Sequence, residues 1–146
     1  MLFRSLPADR VEELRRRMNE YAAARLGPDD FIPEVRIDAD LALAEITEEK
    51  MRALERLEPF GIGNPEPVFA AAGLTVAGEP RVVKEKHLRM MLLEGGRVIK
   101  ALWWNMAGRA PALARGAVVD AAFTVQEDEF QGLRGWGLEL RDVIPR

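Results

Sequence analysis

The residues of this chain that could do chemistry are few, and they cluster. Lys84, Lys86, His87 and Arg89 fall within one short stretch, opposed nearby only by Glu79 and Glu85. Ammonium and guanidinium groups in such a run suit phosphate contact, through Coulomb attraction and charge-assisted hydrogen bonds. They do not suit bond cleavage. His87 is the only histidine, there is no cysteine, and the only serine is Ser5, remote in sequence from His87. A zinc centre of several His and Cys ligands therefore cannot be assembled within the chain, and a Ser-His-Asp triad is nearly ruled out as well. Glu127, Asp128 and Glu129 are consecutive, and consecutive loop residues rarely converge on one cation; they read as solvated charge. No residue is assigned a catalytic role and none a metal.

Composition supports a packed, soluble chain: 146 residues, 48% hydrophobic and 31% charged, with a net charge of −3. The charge is unevenly divided. Residues 1–66 hold 10 Lys/Arg against 15 Asp/Glu, and residues 67–146 hold 11 against 9. Any polyanion site is thus expected in the second part. No apolar run is long enough to span a membrane, and the start, MLFRSLPADR, turns polar too soon for a signal peptide. With the absence of cysteine, this points to a cytoplasmic location without a membrane partner.

The elements that must position the basic cluster follow from periodicity. Pro7 to Leu26 predicts a helix, with Val11, Leu14, Met18 and Tyr21 in one stripe and Gly27-Pro28 as its stop. Residues 34–43 alternate and predict a half-buried strand. Thr47 caps a second helix carrying Met51, Leu54 and Leu57, although Lys50 stands where a capping box has Glu or Gln. Five strands are then expected near 68–78, 87–94, 97–105, 117–126 and 134–144. Gly95-Gly96 marks a tight hairpin, and residues 106–115 form a connector with one helical turn. The fold class is α+β, mainly β: a five-stranded OB-fold barrel preceded by two helices and one strand. An SH3-like barrel matches the strand count less well.

Alternation assigns faces. Leu88, Met90 and Leu92 read as core, which turns His87, Arg89 and Met91 outward. On the next strand Trp104, with Val98 and Leu102, is taken as core. Arg97 and Trp103 then share the open face with Ile99 and Ala101. Arg97, rather than Lys100, is expected to join the phosphate contacts, and Trp103 either stacks on a base or covers the barrel end. Trp136 is expected to be buried, and Asn105 to cap the connector.

One segment is more specific than any periodicity. LEPFGIGNPEPVF, Leu57 to Phe69, is a stiff linker: Pro59, Pro65 and Pro67 fix φ, Gly61 and Gly63 relax it, and Phe60 and Phe69 can anchor its ends. With Asn64 it resembles the junction before the OB domain in RecJ-type single-stranded-DNA exonucleases. IDADLALAEIT before it and KHLRMMLL, ALWWN, VVDAAFTV and LELRDVIP after it are similar to successive elements of the same family, over about residues 34–144.

The resemblance implies residues 1–33 as the terminal helix of a DHH-associated domain, 34–66 as a strand, helix and linker, and 67–146 as the OB barrel. It implies a single-stranded-DNA-binding module of a 5′-to-3′ exonuclease acting in DNA repair and recombination, without the catalytic DHH domain. Mg²⁺ or Mn²⁺ would belong to that absent domain, and no cofactor to this chain. Partners would be single-stranded DNA through Lys84, Lys86, His87, Arg89, Arg97 and Trp103, the enzyme's catalytic domains, and other repair proteins. The alternative is an interdomain scaffold or protein-interaction module of the same enzyme. The purified chain is expected to leave single-stranded DNA intact with Mg²⁺ or Mn²⁺; digestion that co-purifies with it through every step would contradict this.

Overall fold

A computed structural model describes residues 5–130 and 133–146, in two compact units, Met1–Glu34 and Val35–Arg146. In the first unit, a 3-10 turn at Ala8–Arg10 leads into helix α1, Val11–Ala23. Glu12 and Glu13 sit in its first turn, where the helix dipole favours negative charge. The helix ends four residues before Gly27, and Pro28 opens a further 3-10 turn, Pro28–Phe31. Among the described residues no helix is long and apolar enough to cross a membrane.

Among the described residues the second unit is built around seven strands: β1 (Ala39–Asp40), β2 (Phe69–Val76), β3 (Arg81–Val83), β4 (His87–Glu94), β5 (Arg97–Trp103), β6 (Val118–Phe130) and β7 (Leu133–Pro145). Their order is β1-β2-β6-β7-β5-β4-β3, and a second pairing of β2 with β4 closes five of them into a ring. All pairings within the ring are antiparallel except β5 with β7. This is the five-stranded OB arrangement expected, with two short strands added on its edges.

The strand expected over 34–43 shrinks to Ala39–Asp40. It pairs in parallel with Phe69–Ala70, and just beyond them β2 bulges at Gly73, φ +71°. The partner edge is therefore short, because a bulge bends the strand that carries it. Leu41 and Leu43 still enter the core, whereas Val35 and Ile37 stay exposed.

Bulges also explain why alternation drifts. The buried residues of β2 are Phe69 and Ala71, then Leu74 and Val76. The extra residue at the bulge moves the inward phase from odd to even. In β7 the phase changes between Leu140 and Val143, where Arg141 is the residue left over in the pairing with β6.

Helix α2, Glu48–Glu55, starts at Thr47, whose Oγ1 accepts the Lys50 N–H at 3.4 Å. Lys50 Nζ reaches Glu45 at 2.6 Å. Met51 is buried and Leu54 packs on the core, but Leu57 is exposed beyond the end of the helix.

The linker is fixed at several points. Asn64 Nδ2 donates to the carbonyls of Leu57 (2.7 Å) and Pro59 (3.1 Å), and Gly61 and Asn64 bridge to each other. The Glu58–Pro59 peptide is cis. Phe60 is half-buried, and Phe69 lies in the core 6.4 Å from the ring of Phe123. Glu66 is held by Arg141 at 3.2 Å, and Arg141 also bridges Glu139 and reaches the buried Thr124 hydroxyl. Partial burial pushes the Glu66 carboxyl above the usual range, against the pull of Arg141.

Asp120 closes the β2 bulge onto β6. Its Oδ1 accepts from Arg146 Nε at 2.7 Å and from the Gly73 N–H at 2.8 Å, and these bonds hold its carboxyl below the ordinary aspartate range. A folded-state value below the unfolded one gives stability that is complete above the unfolded value, about 3.9, and is lost as the pH falls from there through the lower folded-state value. Asp120→Asn should therefore lower the melting temperature at neutral pH and make its decline between about pH 5 and about pH 2 shallower. Melting curves across that range check both effects.

Candidate nucleic-acid interface

The turn between β3 and β4 presents the first two lysines. Val83 pairs with His87, and the turn residues Lys84 and Glu85 both have positive φ, 49° and 60°. Two left-handed residues in succession make the tight turn that matches strand twist, a place usually taken by Asn and Gly. Here lysine and glutamate occupy it, and both are exposed, as is Lys86 beside them.

From that turn the outward face of β3, β4 and β5 can be followed by register. Arg81 pairs with Arg89, Arg89 with Leu102, and Met91 with Lys100. Leu88, Met90 and Leu92 are buried, so His87, Arg89 and Met91 point outward as expected. The His87 ring meets Trp104 edge-on at 4.5 Å between centroids, and its Nδ1 accepts the Asn105 N–H at 3.1 Å. That acceptor role places the imidazole proton on Nε2.

On β5 the expected faces are reversed. Leu92 pairs with Ile99, Met90 with Ala101 and Leu88 with Trp103, which puts all three β5 residues in the core. Trp103 is 3% exposed and cannot offer its ring to a base; Trp104 is 46% exposed and can. Arg97 is also corrected. It pairs with Glu94 beside the hairpin, and its Nη2 donates to the Ile46 carbonyl at 2.6 Å, while Glu94 accepts the Leu43 N–H. Both side chains thus tie residues 43–46 to the ring. Lys100, set aside in favour of Arg97, is the outward cation of β5 and pairs with Asp128.

Asn105 does not cap the connector with its side chain. It takes φ +58° just before the 3-10 turn Ala107–Ala112. Trp136 is half-buried against the core, and Arg134 pairs with Glu127 at 3.4 Å. The Glu129 side chain lies outside the described residues.

The face holds two adjoining depressions. One, of about 440 Å³, runs past Arg81, Arg89 and Lys100 with Glu79 and Asp128 beside them, and the other, of about 250 Å³, lies between Trp104 and the β6–β7 arm, where Glu127, Asp128 and Glu139 also line it. Sequence reasoning missed Arg81, weighed Lys100 but chose Arg97, and turned Trp104 inward. The signal for Lys100 and Trp104 was present: a two-residue turn at Gly95-Gly96 pairs 94 with 97, and counting back from Leu92 makes Ile99 core.

A closed five-stranded ring with a groove of mixed charge over its second and third strands defines an OB-type domain. The family described as the RecJ OB domain matches residues 37–142, and the chain belongs to that family. It is 24% identical over 140 residues to the single-stranded-DNA-specific exonuclease RecJ of Bacillus subtilis (strain 168), covering 95% of this chain and 18% of that protein. RecJ of Thermus thermophilus in complex with Mg²⁺ superposes with a TM-score of 0.66 at 26% identity, over 95% of this chain and 21% of that one. Its Mn²⁺ complex gives 0.67 at 26% identity, over 96% and 20%. The chain therefore spans about a fifth of the length of these relatives. Among the described residues no three His, Asp or Glu side chains converge as a metal-binding group.

The two tryptophans give a direct check. Trp103→Ala should cost about 3–5 kcal/mol of stability, the usual range for emptying a buried aromatic site. Trp104→Ala should leave the denaturation midpoint nearly unchanged. Urea melts of the two variants decide between this placement and its reverse.

Proposed function

We propose that this chain is a single-stranded-DNA-binding OB module of a RecJ-type exonuclease, and that the strand lies across the outward face of β3, β4 and β5. The observation that supports this most is the alignment of Arg81, Arg89 and Lys100 over three neighbouring strands, beside an exposed tryptophan. Cations spaced along a groove track a sugar-phosphate backbone, and an open aromatic ring accepts any base by stacking. Lys84 and Lys86 extend the line at the β3–β4 turn. The Nε2–H of His87 is a further donor beside Trp104.

In this reading the strand, helix and linker of residues 34–66 brace the ring through Arg97, Glu94 and Arg141, while cleavage and its divalent metal belong to other parts of the enzyme. The B. subtilis relative is named for single-stranded DNA, which agrees with this assignment.

A second reading has one observation in its favour. On the far side of the ring, Val35, Ile37 and Ile144 are exposed around an apolar depression of about 400 Å³. An exposed apolar patch of this kind suits an interdomain scaffold or a protein partner.

A salt titration separates the two readings. Four to five phosphate contacts on a single strand give a log–log slope of about −3, at about −0.7 per contact. Anisotropy of a labelled oligo-dT should show that slope, and the double variant K86E/R89E should abolish binding with little change in melting temperature. Binding that ignores salt, or survives the double variant intact, would favour the scaffold.

A further inference from the structure

The basic face already holds an anion supplied by the protein. Asp128 of β6 lies over β5, and its carboxylate pairs with Lys100 Nζ, with the two side chains 30% and 29% exposed. The pair stands where the two depressions meet: Arg89, Lys100 and Asp128 line both. The backbone beneath is shaped to admit it. A Cβ on Gly137 would stand 3.3 Å from Asp128 Cβ and 3.6 Å from the Lys100 carbonyl oxygen, so a side chain at 137 would crowd Asp128, which would have to shift by a few tenths of an ångström. The neighbouring carboxylate differs. Glu127 is 56% exposed and pairs with Arg134, itself 83% exposed.

We propose that the Asp128 carboxylate marks a phosphate subsite: it stands where a backbone phosphate sits when a strand crosses the groove, and it must leave Lys100 for that strand to bind. The inference rests on the single-strand reading above and names one position within it. A carboxylate and a phosphodiester make the same kind of charge-assisted bond to an ammonium, so one can replace the other on Lys100. A free phosphate competes poorly with a carboxylate tethered beside its partner. A strand already held at Arg81 and Arg89 brings its next phosphate to Lys100 as a tethered group too, and then the exchange is between equals. Asp128 thereby lowers the affinity of the groove without changing the number of phosphates that the bound face neutralises.

The test uses the whole chain and labelled oligo-dT. D128N should bind about five- to tenfold more tightly than the wild type, as expected when a charge-assisted pair no longer competes. Its log–log salt slope should match that of the wild type, because the same phosphates are neutralised in both complexes. E127Q removes the same charge from the neighbouring position and should change affinity by less than about twofold, as exposed charges do. In a K100Q background, D128N should likewise gain less than about twofold, because the gain acts through Lys100. A D128N gain no larger than that of E127Q, or one that persists undiminished with K100Q, overturns the subsite while leaving the single-strand reading intact. Absence of salt-dependent binding by the wild type overturns both.

Discussion

The two-residue turn at Gly95-Gly96 sets the register on which the working face depends. Both glycines have positive φ, 56° and 84°, which is the requirement of the shortest hairpin turn. With only two residues in the turn, Glu94 must face Arg97, and every pair down to Leu88 with Trp103 follows. One extra residue would exchange the two faces of β5. Trp103 would then leave the core, and Lys100 would leave the groove. The chemistry of the surface is therefore decided by a turn that carries no functional side chain.

Around that hairpin the ring is held by charged side chains used as ties. Arg97 and Glu94 secure residues 43–46, Arg141 joins the linker to β7 and the Thr124 hydroxyl, and Asp120 clasps the bulge of β2 to the chain end at Arg146. These contacts lie at bulges and element ends, where the sheet ladder leaves backbone groups without strand partners. A polar side chain that satisfies such a group avoids the cost of an unmade hydrogen bond. They also account for much of the charge that the sequence shows without explanation. Several of its cations are structural ties, and only a subset is left to line the groove.

Much of this was legible before any coordinates. The mainly β class, the five ring strands, the hairpin and the outward placement of His87 and Arg89 followed from alternation and from glycine's tolerance of positive φ. The linker LEPFGIGNPEPVF pointed to the family that the comparison then showed. What failed was phase. Alternation says that neighbouring residues oppose each other but not which of the two is buried, and Trp103 and Trp104 are equally apolar. The choice came from pairing with β4, a non-local fact that the Gly95-Gly96 count could have supplied. Arg97 misled for the same reason: it has core parity but sits at the ring's end, where a guanidinium can reach a carbonyl. The short β3 was hidden in three residues, too few for a periodic signal, and the strand expected over 34–43 lost most of its length because its partner edge bends away at Gly73.

The parallel seam between β5 and β7 has a consequence for how the molecule comes into being. Only Ala101–Trp103 and Leu138–Leu140 make it, and β7 is the last strand of the ring. During synthesis the β4–β5 hairpin can form as soon as it emerges, since its contacts are local. The groove cannot, because its far wall is the β6–β7 arm. On the ribosome, then, the half-made chain shows its cations on an open hairpin with Leu88, Met90 and Trp103 uncovered on the reverse. Only arrival of the final strand converts that exposed sheet into a closed ring with a cleft.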